Sequence, residues 1–326
     1  MSLTEKMSTI KVSIVVPIYN DGSLAEAFCN SFKVIFQNYF ENQDISKLVE
    51  LIFVNDGSKN DSLIVLKKIS SQFNFVKILN LSRNFGQHIA LTAGYAEATG
   101  NFIGMLNVDM QEHPKEIIKY LNLFNEDNEI DFILGLRKNR QDSFFKKGTS
   151  IVFNKLMNKL TGDTTPLNAS TLRMMNRKFL NAYLSLNEKS RYLPGLENWL
   201  GFKHGFVEIE HNERTTGKSS YNFFSRLRMA TNAVLSFSDI PLRFVVSMGF
   251  LISVIGFLMI FVLFVQKIFF VKMQPGYTST ISIIVFLGGF QILVIGLASL
   301  YIGRILKEVQ NRPLYVIKDR INFNHV

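Results

Sequence analysis

The amino-acid sequence predicts an α/β domain with a mainly parallel sheet and helices on both faces, followed by an interfacial helix and two transmembrane helices. Three observations carry that expectation. Along the N-terminal part, short β-branched runs alternate with segments of helical period, the order that gives a parallel sheet. Each run ends in a polar turn of Asn, Asp, Gly or Ser. Near the C-terminus two long stretches are almost free of charge, which accounts for 47% hydrophobic residues and a mean hydropathy of +0.15 in a chain of net charge +10. A chain of 326 residues allows one or two domains. It is too apolar for a plain soluble basic protein.

The elements follow in order. Val12 to Pro17 reads as the first strand and Tyr19-Asn20-Asp21-Gly22-Ser23 as its turn. Asp21 or Ser23 is expected to cap a helix from Leu24, where Phe28, Phe32 and Phe36 recur every four residues. Leu48 to Val54 is a second strand, Asn55-Asp56-Gly57-Ser58 its turn, and Asp61 to Ile69 a helix. Val76 to Leu81 is the third strand, and Ser82 to His88 leads into a helix through Ala98. Phe102 to Leu106 then delivers Asn107, Asp109 and Gln111 in five residues.

In such sheets ligands bind beyond the carboxyl ends of the strands, so one edge should gather Tyr19, Asp21, Asp56, Arg83, Gln87, Asp109 and Gln111. No glycine loop of the P-loop or dinucleotide type follows the first strand, which argues against a P-loop ATPase and a dehydrogenase. Nucleotide recognition then rests on side chains. Asp56 can accept from a base N–H or a ribose hydroxyl, and Arg83 can offset phosphate charge. Asp56 as a helix cap and Arg83 as a surface charge are the plain alternatives, and His88 reads as a buried helix residue. If the strand unwinds after Leu106, the oxygens of Asn107, Asp109 and Gln111 converge on Mg²⁺ or Mn²⁺, with a sugar nucleotide's diphosphate as further ligand. An ordinary strand-to-helix turn would carry the same polar residues.

Seven basic residues, Arg137, Lys138, Arg140, Lys146, Lys147, Lys155 and Lys159, stand against the single acid Asp142. Nucleic acid, a phospholipid surface or a phosphorylated substrate would satisfy them, as would a solvated helix face. No nucleic-acid motif appears. Arg214-Thr215-Thr216-Gly217-Lys218-Ser219-Ser220-Tyr221 is basic, hydroxyl-rich and suited to a phosphate. Phe244 to Val265 is 22 residues without a charge, and Thr278 to Ile302 is a second apolar stretch. Lys and Arg flank the pair on its outer sides, so the positive-inside rule places both flanks in the cytoplasm. The predicted organisation is a cytoplasmic domain over 1–222, an interfacial amphipathic segment over 223–243, a transmembrane hairpin over 244–302 and a cytoplasmic tail over 303–326. The tail is expected to pack on the domain or on a neighbouring subunit. The lone cysteine, Cys29, excludes intrachain disulfides and thiolate zinc clusters. Polar residues before Ile10, with Pro17 interrupting the next apolar run, predict no signal peptide.

Val16-Pro17-Ile18-Tyr19-Asn20, Val54-Asn55-Asp56-Gly57-Ser58, Asn84-Phe85-Gly86-Gln87-His88 and Asn107-Val108-Asp109-Met110-Gln111 together resemble the successive motifs of inverting family 2 glycosyltransferases. These have the GT-A (Rossmann-like) fold. The whole chain takes part in the likeness, which is nearest to polyprenyl-phosphate glycosyltransferases: dolichyl-phosphate mannose synthase, the bactoprenol glucosyltransferases and, above all, undecaprenyl-phosphate 4-deoxy-4-formamido-L-arabinose transferase. The stretch from Arg137 to Ser143, with Tyr301-Ile302-Gly303-Arg304 and Arg312-Pro313, points to the last group.

The resemblance implies that Pro17, Tyr19, Asp21 and Asp56, with Arg83 and Gln87, hold the nucleotide. It implies that Asp109, Gln111 and Asn107 bind Mg²⁺ or Mn²⁺, with Asp109 and Arg214 catalytic. Arg137, Lys218 and Ser219 would meet the acceptor phosphate. Four positions depart from the family pattern: Asn107 and Asn55 stand where Asp is usual, Asp21 where Glu is common, and Ser220 where the late motif has lysine. The implied reaction is inverting transfer of a sugar from a nucleotide sugar, UDP-linked, to a polyprenyl phosphate, undecaprenyl phosphate, for cell-envelope glycan or lipid modification. Its implied setting is the cytoplasmic face of the inner membrane, as a multi-pass homo-oligomer (a tetramer), with no nucleic acid partner. A phosphate monoester has a second pKa near ~6, so the acceptor needs no strong base. A catalytically silent nucleotide-sugar-binding protein is the alternative from another class. A processive polysaccharide synthase would carry Gln-x-x-Arg-Trp, whereas the only tryptophan, Trp199, follows Glu197-Asn198.

Overall fold

The computed structural model describes residues 12–41, 43–138, 166, 168–189, 191–210, 240–269 and 276–323. Val12–Ile18 (β1), Val49–Asn55 (β2), Val76–Leu81 (β3) and Phe102–Met105 (β4) form the centre of the sheet. They lie side by side in the order β4-β1-β2-β3, all parallel. Each agrees with its predicted strand to within about a residue at either end. Between them run Ala25–Tyr39 (α1), Ile45–Leu48 (α2), Ser62–Gln72 (α3) and Gln87–Glu97 (α4).

The four-residue recurrence in α1 does what its spacing demands. Phe28, Phe32 and Phe36 are fully buried against Val12, Ile14, Val16 and Phe53, and ring centroids of Phe32 and Phe36 lie 4.3 Å apart. Burial of such rings contributes about 1.5–3 kcal/mol each. The expected cap does not form, however. A short 3-10 turn, Gly22–Leu24, leads into α1, and neither Asp21 nor Leu24 caps with its side chain. Gly22 N–H instead donates to Ser62 Oγ at 3.0 Å. On the other face α4 approaches so closely that a Cβ on Gly94 would lie 2.3 Å from Val15 Cγ1.

The sheet is mainly parallel, as expected, with two reversed strands that make it mixed. Phe132–Arg137 (β5), Ala169–Asn176 (β6), His204–Ile209 (β7) and Ile317–Ile321 (β8) extend it to the order β7-β5-β6-β4-β1-β2-β3-β8. Here β6 is antiparallel to both β4 and β5, β7 is parallel to β5, and β8 is antiparallel to β3. Because β6 reverses between β4 and β5, its first residues reach the same edge as the last residues of those strands. Glu116–Glu126 (α5), Arg177–Ser185 (α6) and Leu193–Trp199 (α7) complete this half. Arg173 of β6 and Glu197 of α7 form a buried ion pair at 2.6 Å.

The tail is not a separate appendage. Its strand β8 occupies the edge beside β3, where Asn80 Nδ2 donates to Asp319 Oδ2 at 2.7 Å and Arg320 pairs with Glu97. Residues 1–159, 163–226 and 313–326 accordingly make one compact unit, and residues 160–162 and 227–312 a second.

The second unit contains Ile240–Phe269 (α8) and Tyr277–Val309 (α9), two continuous helices that take in both predicted apolar spans. Phe250 and Phe257 of α8 and Ile292 of α9 are each more than 70% exposed. Among the described residues one stretch, Phe286–Val309, has the length and apolarity to cross a membrane, while Leu242–Leu258 is shorter. The predicted interfacial segment lies almost wholly outside the described residues.

Candidate functional site

Where the central strands end, their turns enclose a cavity of about 230 Å³. Pro17, Ile18, Tyr19 and Asp21 enter from β1, Asp56 from β2, and Asn84, Gly86 and Gln87 from the β3–α4 turn; Asn107, Val108 and Asp109 close it beyond β4. Seven predicted site residues thus meet in one place: Pro17, Tyr19, Asp21, Asp56, Gln87, Asn107 and Asp109. Parallel connectivity is the reason, since it brings every β-to-α turn to the same edge.

The turns brace one another. Gly57 has φ 63, and a Cβ there would sit 2.3 Å from the carbonyl carbon of Arg83, so the second and third turns touch backbone to backbone. Asp56 completes the join: its carboxylate accepts from Phe85 N–H at 2.7 Å and Gly86 N–H at 2.9 Å. Burial pushes its pKa above the ordinary carboxylate range, although both N–H groups and the nearby Arg83 charge pull the other way. Asp56 therefore shapes the loop as well as lining the cavity. Asn20, at φ 64, ties the first turn to the second, accepting from Lys59 N–H through Oδ1 and donating its own N–H to Ser58 Oγ. Tyr19 is left 41% exposed, its ring available for a planar ligand.

Beyond β4 the chain unwinds as expected. Met110 adopts φ 53, and Asp109 Oδ1 accepts from Gln111 N–H at 3.3 Å. Asn107 and Asp109 are half-buried on the cavity wall. They offer one amide oxygen and one carboxylate, a hard donor set that fits Mg²⁺ or Mn²⁺ when phosphate and water supply the rest. Among the described residues no cluster of three His, Cys, Asp or Glu side chains competes as a metal centre.

Three predicted residues stand apart from the cavity wall. Arg83 lays its guanidinium over the Phe85 ring, 4.1 Å from the centroid, and donates to Asn84 O. Gln111, which follows the left-handed Met110, is not among the residues lining the cavity. Arg137, at the end of β5, reaches Glu112 at 3.6 Å, and its buried Nε has no hydrogen-bond partner. Arg214, Lys218 and Ser219 lie outside the described residues. His88 lies on α4 as expected but is only half-buried as a residue: its Nδ1 is buried without a hydrogen-bond partner, and its ring stands edge-on to Tyr192.

Sequence reasoning missed Glu112. It is 2% exposed, accepts from Ser170 Oγ and, at 2.9 Å, from Thr171 Oγ1. Thr171 in turn accepts from Asn107 Nδ2 at 3.1 Å, and Asn107 Oδ1 accepts from Gln87 Nε2 at 3.2 Å. The only signal was an acid directly after Gln111; its hydroxyl partners, Ser170 and Thr171, are more than fifty positions away.

A family model described as Glycosyl transferase family 2 matches residues 13–184. The chain is 34% identical over 95% of its length, and 94% of the other, to the uncharacterized glycosyltransferase YkcC of Bacillus subtilis (strain 168). It is 33% identical to the undecaprenyl-phosphate 4-deoxy-4-formamido-L-arabinose transferase of Proteus mirabilis (strain HI4320), covering 98% of this chain and 95% of that one. To the SfII prophage-derived bactoprenol glucosyl transferase of Shigella flexneri it is 32% identical, with 95% and 98% covered.

Proposed function

The chain belongs to glycosyl transferase family 2 and is a glycosyltransferase; from that premise we propose that it transfers a sugar from a UDP-sugar to the phosphate of a polyprenyl phosphate, undecaprenyl phosphate, with inversion, at the cytoplasmic face of a membrane. The observation that carries this reading is the cavity at the strand ends, where an exposed aromatic ring, two aspartates and the Asn107–Asp109 oxygens face one space. That set suits a base, a ribose and a diphosphate in a row. Two relatives named for undecaprenyl phosphate or bactoprenol, matched over nearly the whole chain, support the lipid acceptor.

Each group has work in this scheme. Tyr19 stacks on the base, and Asp21, whose carboxylate does not brace a backbone loop as that of Asp56 does, accepts from the nucleoside. Asp56 holds the 85–86 backbone around it. Asp109 and the Asn107 carbonyl oxygen hold Mg²⁺ or Mn²⁺, which when bound would offset the charge that develops on the leaving diphosphate. Arg214, with Lys218 and Ser219, meets the phosphates, and Arg137 stands by as a second cation on the β5 side. The acceptor phosphate is already largely dianionic at neutral pH, so the chain needs to place it rather than deprotonate it. Helices α8 and α9 form a two-span hairpin that keeps the lipid headgroup and the domain at one surface.

The deciding experiment incubates detergent-solubilised protein with radiolabelled nucleotide sugars and undecaprenyl phosphate. Label moving into the organic phase identifies the donor; binding without transfer for every donor would overturn the reading in favour of a silent binding protein. Asp109→Asn should lower transfer by at least about a hundredfold while leaving the melting temperature nearly unchanged, because the residue is half-buried on a loop and not in the core. Transfer retained at more than a few per cent removes Asp109 from the metal site.

A further inference from the structure

Asn107 stands where a carboxylate is usual, and the groups behind it dictate which end of its amide faces the cavity. Glu112 is paired with Arg137, so as a carboxylate it only accepts hydrogen bonds. Thr171 has a single hydroxyl hydrogen, which it donates to Glu112 Oε2 at 2.9 Å. What Thr171 has left for residue 107 is a lone pair. The Asn107 amide meets that lone pair with Nδ2 at 3.1 Å, and its oxygen is thereby turned the other way, to Gln87 Nε2 on the cavity wall. Every donor in this chain has an acceptor and the direction is the same throughout, from Gln87 through Asn107 and Thr171 to Glu112. Such directed networks fix amide orientation, because the two flipped forms differ only in which end carries the hydrogens.

We propose that Thr171 and Glu112 are positioning residues that lock the Asn107 amide with its oxygen toward the cavity, so that a neutral side chain can serve as an oxygen ligand to a divalent cation. The inference rests on the metal-dependent reading above. Without the lock the NH₂ end can swing toward the cavity, and an N–H donor repels a cation. A carboxylate at 107 would not need the lock, since both its ends are oxygen. The buried charge of Glu112, which reaches the Asn107 amide only through the Thr171 hydroxyl, thus acts through hydrogen-bond direction rather than through contact.

The test measures Mn²⁺ binding to the purified full-length protein by electron paramagnetic resonance, with and without UDP. Thr171→Val keeps shape and charge but removes the hydroxyl, and it should weaken Mn²⁺ binding about tenfold, the size usual for groups that orient a metal ligand. Thr171→Ser, which keeps the hydroxyl, should bind like the unaltered protein. In an Asn107→Asp background Thr171→Val should have no such effect. Glu112→Gln, whose amide can donate back to Thr171 and reverse the chain, is the second variant should Thr171→Val fail to fold, and it should also weaken binding in the Asn107 background. Unchanged Mn²⁺ affinity in both variants, or an equal loss in the Asn107 and Asp backgrounds, overturns the inference alone. Absence of Mn²⁺ binding by the unaltered protein overturns the metal-dependent reading and the inference with it.

Discussion

Asp56 and Asn55 are neighbours at the end of β2, yet the fold uses them in opposite directions. Asp56 faces the cavity turn and holds Phe85 and Gly86, whereas Asn55 Nδ2 donates to Asn80 Oδ1 at 2.8 Å, inside the sheet. Alternation of side chains along a strand explains the split. His88 shows how little of a residue's chemistry its name conveys. Burial, and then the charge of Arg173, push its pKa down to about 4. An unfolded histidine titrates near ~6.5, so the folded state binds the proton more weakly. The stability this contributes is therefore complete above the unfolded value and is lost as pH falls from there toward 4. Glu50 acts at lower pH: burial alone would raise it, but hydrogen bonds from Lys77, Ser13 and Thr99 outweigh burial and hold it below 4.5. Between pH 7 and 5 the histidine is thus separable from Glu50, and the contribution of His113, also lowered by burial, is common to both proteins compared. Thermal melts at those two pH values should show a smaller drop for His88→Gln than for the unaltered protein; equal drops would mean that His88 is not the titrating group.

Among elements, β8 has the least sequence signal and a large structural effect. Its residues, Ile317 to Ile321, are mostly charged and exposed, the composition of an edge strand that resists further pairing. Through Asn80 it extends an amide ladder, Asn55 to Asn80 to Asp319, that begins one residue before Asp56. Asn322 Nδ2 adds bonds to Ser70 O and Val76 O. Ending the chain after Arg312 would expose the β3 edge and leave the Asn80 amide short of its acceptor. We expect the melting temperature to fall by several degrees and nucleotide binding to weaken. Asp319→Ala should reproduce a part of this, about 1 kcal/mol. A truncated protein that melts and binds like the full chain would show that β8 only decorates the sheet.

For the whole molecule the open matter is topology, and the single cysteine makes it measurable. Cys29 is buried, and burial together with the Glu26 charge pushes its thiol up to about 12, so it stays unreactive. Lys272→Cys, in the connector between the helices, and Lys318→Cys, in β8, then give single reporters. If α8 and α9 both span, a membrane-impermeant maleimide added to intact cells labels the Lys272→Cys protein, and labels the Lys318→Cys protein only after permeabilisation. Labelling of both, or of neither, before permeabilisation rules out the hairpin.

The sequence by itself determined the four central strands, the edge on which their turns meet and the family. Each follows from local pattern: β-branched runs, four-residue phenylalanine spacing, and turn residues whose positions in a parallel sheet are fixed by connectivity. It also put Tyr19, Asp21, Asn107 and Asp109 at one site, because each directly follows a strand. Only the tertiary structure decided that Arg83 stacks on Phe85, that Asp21 caps nothing, that β8 closes the β3 edge and that Glu112 stands behind Asn107. Those contacts join residues as far apart as 239 positions, and the last depends on which partner holds a hydroxyl hydrogen. No local spacing encodes either, since a hydrogen bond's direction is settled only once all of its neighbours are in place.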